Sequence, residues 1–374
     1  MSSGKRIELK GKSIRAISDY FESSDTYLLE DCCQYDEKYD EAIKPLAWAL
    51  KDYMSELTVY QYIYASVILA EEEIRKVLES GGDIDDSEAR KSIVKFIVDD
   101  LSGFPRNYEW RIELPRFNRL PACQIPITEG IFLDYKSGEF PELVLKVSGY
   151  CGWDFNQPTM VETTSLIKNF IFILEWLGLV WHTQGYETIE AKIVDHYLEN
   201  NRQQVLKPDL SQLIAGSRLS VSHIVKRNGA PANLNAVEVL TSQMAPVGDL
   251  IALLRQDEHA AIATAIEWYM DSRFVENQTV AMLEICIGLE AILGGEEEIK
   301  DMTNRLCDRL GFLLGKTREQ RRAFSEQYRA VLSLRGKLVH GKQAKLDKAG
   351  SQTLSVARHL LKRVIEHELG QLKN

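Results

Sequence analysis

Tyr328-Arg329-Ala330-Val331-Leu332-Ser333-Leu334-Arg335-Gly336-Lys337-Leu338-Val339-His340-Gly341 is the stretch on which the fold turns. Tyr328, Val331, Leu332, Arg335, Leu338 and Val339 recur at i, i+3, i+4, i+7, i+10 and i+11, one face of an α-helix. Arg335 thus falls in the middle of an apolar stripe. A guanidinium there keeps its charge, so it must meet an anion, a partner chain or a water-filled cleft. Gly341 stands where a left-handed residue commonly closes a helix, which predicts that the helix stops at His340. Five residues turn a helix by about 140°, so Arg335 and His340 share no face of an unbroken one. A stop at His340 frees the imidazole to turn back towards the guanidinium.

Working outward from this stretch, everything after Val237 is helical in pattern. The periodicity predicts helices over Ala236–Arg255, His259–Ser272, Val280–Leu293, Ile299–Leu314, Arg318–Val339 and Ser351–Leu372. Breaks fall at Gly294-Gly295, Gly315-Lys316-Thr317 and His340-Gly341-Lys342. Towards the N-terminus, Tyr39 to Leu57 and Val59 to Glu79 also read as helix. Between about 108 and 149 the pattern changes. Trp110 to Leu114, Ile125 to Ile127, Ile131 to Leu133 and Leu143 to Val147, separated by prolines and glycines, read as short strands. Helix resumes near Glu162 and is expected to continue to Gln203. The expected fold is therefore mainly α: an N-terminal α+β region over 1–240 with short strands, then an all-α helical bundle over 241–374.

The chain has 374 residues, 45% hydrophobic and 27% charged, the composition of a globular protein. The apolar run Phe170 to Trp181 is interrupted by Glu175 and is shorter than the ~18 residues a membrane span needs, so it reads as a buried core helix. Met1 to Arg6 offers no apolar secretory signal, and six cysteines without a C-x-x-C pair read as reduced thiols, so a cytoplasmic setting without a membrane is expected. Net charge is -10, yet it is unevenly placed. Residues 300–374 hold 17 Lys and Arg against 7 Asp and Glu, a net +10, which leaves -20 on residues 1–299. A basic end on an acidic body suits either contact with phosphates or docking of one end on the other.

Other signals carry less. Gly311-Phe312-Leu313-Leu314-Gly315-Lys316-Thr317 echoes a phosphate-binding loop, but three residues separate its glycines where that motif needs four, and a helix C-cap explains it better. Gly294-Gly295-Glu296-Glu297-Glu298 reads as a carboxylate-rich entry to a helix. His182, His196, His223 and His259 lack metal-ligand spacing, so no metal and no cofactor are expected.

An arginine with a nearby histidine suits RNA chemistry. RNA carries its own nucleophile, the 2′-hydroxyl, so cleavage needs a base or acid that titrates near neutrality and a fixed cation for the phosphate oxygens. Leu334 to Gly341 resembles the R-x4-6-H motif of HEPN domains in the Apea-like form, whose arginine leads into a Val-His-Gly ending. Leu283 to Leu293 is similar to the helix of that family that ends in Leu-Glu-Ala-Leu, and Arg309-Leu310-Gly311-Phe312-Leu313-Leu314 to its arginine-bearing helix. The order and spacing of the three agree over roughly residues 255–370.

This resemblance implies a helical bundle that forms a homodimer, with two motifs facing each other across a cleft. It implies a metal-independent endoribonuclease of prokaryotic defence or toxin–antitoxin systems. His340 would be the general acid/base, Arg335 the phosphate clamp and Glu290 an orienting carboxylate, with Lys337, Lys342 and Lys345 guiding RNA. Gly336 departs from the pattern, which often has a polar residue after the arginine. The expected partners are RNA, a second copy of the chain, and an antitoxin or phage-derived trigger. The alternatives are a non-catalytic module that binds nucleic acid or protein, and a toxin half held by its antitoxin.

Overall fold

A computed structural model describes residues 16, 19–20, 37–81, 86–152, 157–196, 200–227, 235–294 and 302–373. The chain divides into two compact units, one of Met1–Glu109, Lys146–Thr163 and Ile193–Arg202, the other of Trp110–Leu145, Thr164–Lys192 and Gln203–Asn374. The fold is mainly α-helical, with an antiparallel sheet in the N-terminal region and helices beyond it.

The first unit opens with helices α1 (Glu37–Leu50), α2 (Glu56–Glu79) and α3 (Asp86–Ser102). Their apolar faces meet in a core of Ile43, Leu46, Leu50, Val59, Ile63, Ile97 and Leu101, each no more than 1% exposed. The expected helix Tyr39–Leu57 stops earlier, at Leu50, because the amides of Tyr53 and Met54 both turn back to the Leu50 carbonyl. Ser55 then caps α2 by accepting from the Thr58 amide at 3.2 Å.

The strands are β1 (Arg106–Glu113), β2 (Cys123–Thr128), β3 (Ile131–Tyr135), β4 (Glu142–Gly149), β5 (Val180–His182), β6 (Glu190–Asp195), β7 (Asn200–Val205) and β8 (Ser217–Leu219). One sheet has the order β2-β3-β4-β1-β6-β7, and β5 pairs with β8 in a second. Antiparallel register sets Ile125 opposite Leu133 and Leu133 opposite Leu143, and all three are fully buried on one face. β1 to β4 lie where alternation predicts them. The region after them does not follow the reading of a helix to Gln203. α4 (Pro158–Trp176) ends at Trp176, Gly178 takes a φ of 69°, and the Leu179 amide closes the turn on the Leu174 carbonyl. Val180 to His182 is thus strand, not core helix. Glu190 to Asp195 alternates outward and inward, with Ala191 and Ile193 buried, a period of two that the helical reading overlooked.

In the second unit, α5 (Pro208–Gly216) and α6 (Val221–Arg227) lead to α7 (Ala236–Leu254). By length and composition α7 is apolar enough to cross a membrane, and 44% of its apolar window is buried inside the fold. Its glycine accounts for the packing. A Cβ on Gly248 would stand 1.6 Å from the Ile127 carbonyl oxygen of β2, so helix and strand backbones touch where only hydrogen fits. Beyond α7 come α8 (Ala260–Asp271), α9 (Gln278–Leu293), α10 (Met302–Leu314), α11 (Arg318–Val339) and α12 (Lys348–Leu372). α9 lies at the centre: a Cβ on Gly288 would meet Leu361 of α12 at 2.8 Å and Trp268 of α8 at 3.2 Å. The expected helix entry at Gly294 to Glu298 lies, but for Gly294, outside the described residues.

A charged layer runs through this unit. Lys168 of α4 donates to Asp271 and lies 3.8 Å from Asp209, while Ser165 donates to Glu267. Glu284 of α9 shares the neighbourhood, and burial, reinforced by the charge of Asp271, raises its carboxyl from 4.5 to about 7.

Two outcomes test this packing. Gly248→Ala should lower the free energy of unfolding by about 3 kcal/mol or prevent folding, since overpacking here strikes backbone rather than a side chain; denaturant titration reads it. A carboxyl whose folded pKa exceeds its unfolded one binds extra proton in the native state between those values, so stability falls as pH rises from 4.5 to about 7. Glu284→Gln should flatten that decline in melting temperatures measured from pH 5 to 8.

Candidate functional site

The candidate site stands on α11, and local chemistry fixes both of its ends. Thr317 forms a capping box with Gln320 at the N-terminus. Helix α10 is stitched alongside: the Ser325 hydroxyl donates to the Cys307 carbonyl at 2.8 Å and the Arg321 Nε donates to the Gly315 carbonyl at 3.1 Å. Gly311 permits this approach, since a Cβ there would meet the Ser325 hydroxyl at 2.5 Å and the Arg321 carbonyl at 2.7 Å. The glycines that echo a phosphate loop therefore serve helix packing and the turn between α10 and α11. At the other end α11 stops at His340, as Gly341 predicts. Gly341 has a φ of 66°, and the Lys342 amide bonds the Lys337 carbonyl at 2.8 Å.

Arg335 and Glu290 are brought together. The Arg335 Nη2 lies 3.5 Å from the Glu290 Oε2, and the two side chains are 41% and 36% exposed. The pair is open to solvent, so its contribution to stability is about 0–1 kcal/mol. Arg335 is not at the centre of a buried stripe as the periodicity predicts. The row α11 buries runs through Tyr328, Val331 and Leu334, while Val339 is 53% exposed. Arg335 shares that face but stands one turn beyond the fully buried Val331, towards the helix end, where the cover gives way to solvent.

His340 is exposed, and among the described residues no side chain hydrogen-bonds its imidazole. It makes no hydrogen bond to Arg335 or Glu290. Lys337, Lys342 and Lys345 are exposed, and none of them is ion-paired among the described residues. The site is thus an accessible guanidinium on a loose carboxylate, an unengaged imidazole at a helix end, and three lysines on that end and the loop after it.

Several supporting groups escaped the sequence reading. Arg309 donates to the carbonyls of Leu293 and Gly294 at 2.8 and 2.9 Å, closing the C-terminus of α9, the helix that carries Glu290. Asn277 caps its N-terminus through the Thr279 amide. Beneath the pair, burial pushes the Cys286 thiol up to about 12, with Glu290 adding to the shift. Tyr328 is fully buried, its hydroxyl has no hydrogen-bond partner among the described residues, and burial together with Cys286 and Glu290 drives its pKa upward. Arg309 was visible only as part of a motif, and Tyr328 only as an apolar position. Ile287 and Val339, 41% and 53% exposed, lie one turn along their helices from Glu290 and Arg335. No cluster of three or more His, Cys, Asp and Glu suited to a metal gathers among the described residues.

Compared with protein-family models, curated proteins and solved structures, the chain gives no match. What bears on function is the chemistry of the site itself.

A methyl group on Gly336 would meet nothing within 4 Å, so a side chain has room there. Gly336→Ala should raise stability by about 0.5–1 kcal/mol, the helix-interior difference between the two residues. Tyr328→Phe should leave stability unchanged or raise it, because it removes a buried hydroxyl without a partner. Chemical denaturation of both variants checks these values.

Proposed function

We propose that the C-terminal helical region is a HEPN-type, metal-independent endoribonuclease that works as a homodimer in prokaryotic defence or as a toxin. The observation that carries the reading is the half-exposed Arg335 and the exposed His340 towards one helix end, neither engaged in a tight ion pair. The resemblance of Leu334 to Gly341 to the HEPN motif supports it, as does the net +10 of residues 300–374.

In this reading His340 takes the proton from a ribose 2′-hydroxyl, and the oxygen attacks the adjacent phosphorus. The 5′-oxygen leaves with a proton, and a 2′,3′-cyclic phosphate remains. Arg335 stabilises the charge that grows on the non-bridging oxygens, at a site where the loose contact to Glu290 leaves most of its donors available. A single imidazole serves as base or as acid, so a second copy across a two-fold axis would supply the other. Exposed Ile287 and Val339 beside the pair give such a contact apolar surface. Lys337, Lys342 and Lys345 would hold the RNA backbone, making binding weaker as salt rises.

Arg335→Ala and His340→Ala should each abolish cleavage of a mixed RNA pool in EDTA while the melting temperature stays within about 2 °C. Wild-type protein that leaves that pool intact with every activator tried would remove the catalytic reading. Gly336, which puts no polar side chain after the arginine, favours a second reading, a non-catalytic module that binds RNA through the same lysines. Wild type and His340→Ala would then bind RNA equally and neither would cut.

A further inference from the structure

The first unit holds a cavity of about 470 Å³, within the range of about 300–1,000 Å³ common for small-molecule sites. It lies among α2, α3, the starts of β1 and β7, the end of β6 and the residues just after β4. Its wall is part aromatic. Tyr62 and Tyr150 meet edge to face at 5.6 Å, and Phe96 contributes a ring that is 37% exposed. The polar part of the wall is built and held in place. Arg106, 4% exposed, donates to the Tyr62 hydroxyl at 2.6 Å and to Asp100, with Asp195 at 3.7 Å. Arg202 donates to the carbonyls of Cys151 and Gly152 at 2.7 and 2.5 Å.

Two guanidiniums and two carboxylates cancel in charge, and each is positioned before any ligand arrives. Carboxylates accept hydrogen bonds and guanidiniums donate them, so the lining holds acceptors and donors beside aromatic faces. An anion would gain from Arg202 but would also confront Asp100 and Asp195. A flat, uncharged molecule whose edge carries a donor next to an acceptor fits both features, and a ring half-exposed like Phe96 is free to stack on it. We infer that this cavity binds an uncharged purine base or nucleoside. The site is independent of Arg335 and His340, so it stands whether or not the chain cleaves RNA.

Calorimetric titration of the full chain with guanosine and adenosine, beside their 5′-monophosphates, tests the inference. At least one nucleoside should bind with a Kd on the order of 10–100 µM. Its monophosphate should bind more weakly. Phe96→Ala should weaken nucleoside binding about tenfold. Ala65→Trp, which drives an indole into the cavity from an exposed helical position, should abolish it with the melting temperature preserved. Arg335→Ala should bind as wild type does. Absence of heat with both nucleosides, tighter binding of a monophosphate, unchanged affinity in folded Ala65→Trp, or loss of binding in Arg335→Ala would each overturn the assignment.

Discussion

The close approach of α10 and α11 is the constraint on which the candidate site depends. Gly311 lets the two backbones meet, and the Ser325 hydroxyl and Arg321 guanidinium bind carbonyls of Cys307 and Gly315. With α11 clamped over its first half and closed by Gly341, its last turn projects Arg335 and His340 at a defined place without burying them. α9 supplies the opposite wall by the same logic. Gly288 draws it against α8 and α12, and Arg309 binds its last carbonyls, so Glu290 reaches Arg335 from a fixed helix end.

The energetics separate scaffold from site. The buried row of Tyr328, Val331 and Leu334, with the apolar faces of α9 and α12, supplies the hydrophobic stabilisation. The Arg335–Glu290 pair at 3.5 Å and roughly two-fifths exposed adds little. A charged group that contributes little to the fold, near a capped helix end, stays accessible to solvent. The two buried groups beneath it, Cys286 and Tyr328, keep that floor neutral across the physiological range because burial raises both of their pKa values.

Helices were legible where period and punctuation agree. Arg318–Val339 carries Thr317 before it and Gly341 after it, and the structure gives the same bounds. The strands between Arg106 and Gly149 were legible from alternation between prolines and glycines. Residues 177–203 were not, because Phe170 to Trp181 is apolar without period and hides a change from helix to strand at Gly178. His340 was legible as the residue that ends a helix, because Gly341 follows it. That Arg335 is half-exposed was not, since six positions on α11 share one face and only the neighbours decide how far along the helix that face is covered.

From sequence alone came the helical character of the last third, the stop at His340, and the charge difference between 300–374 and the rest. Each rests on neighbours along the chain: side-chain period, the freedom of glycine at positive φ, and the count of charges. Only the tertiary structure decided that Gly248 must be glycine and that Arg335 meets Glu290. It also decided that Asp100, Arg106, Asp195 and Arg202 gather around one cavity. Those facts join residues up to 121 positions apart, Gly248 and Ile127, and no local period encodes a distance through space.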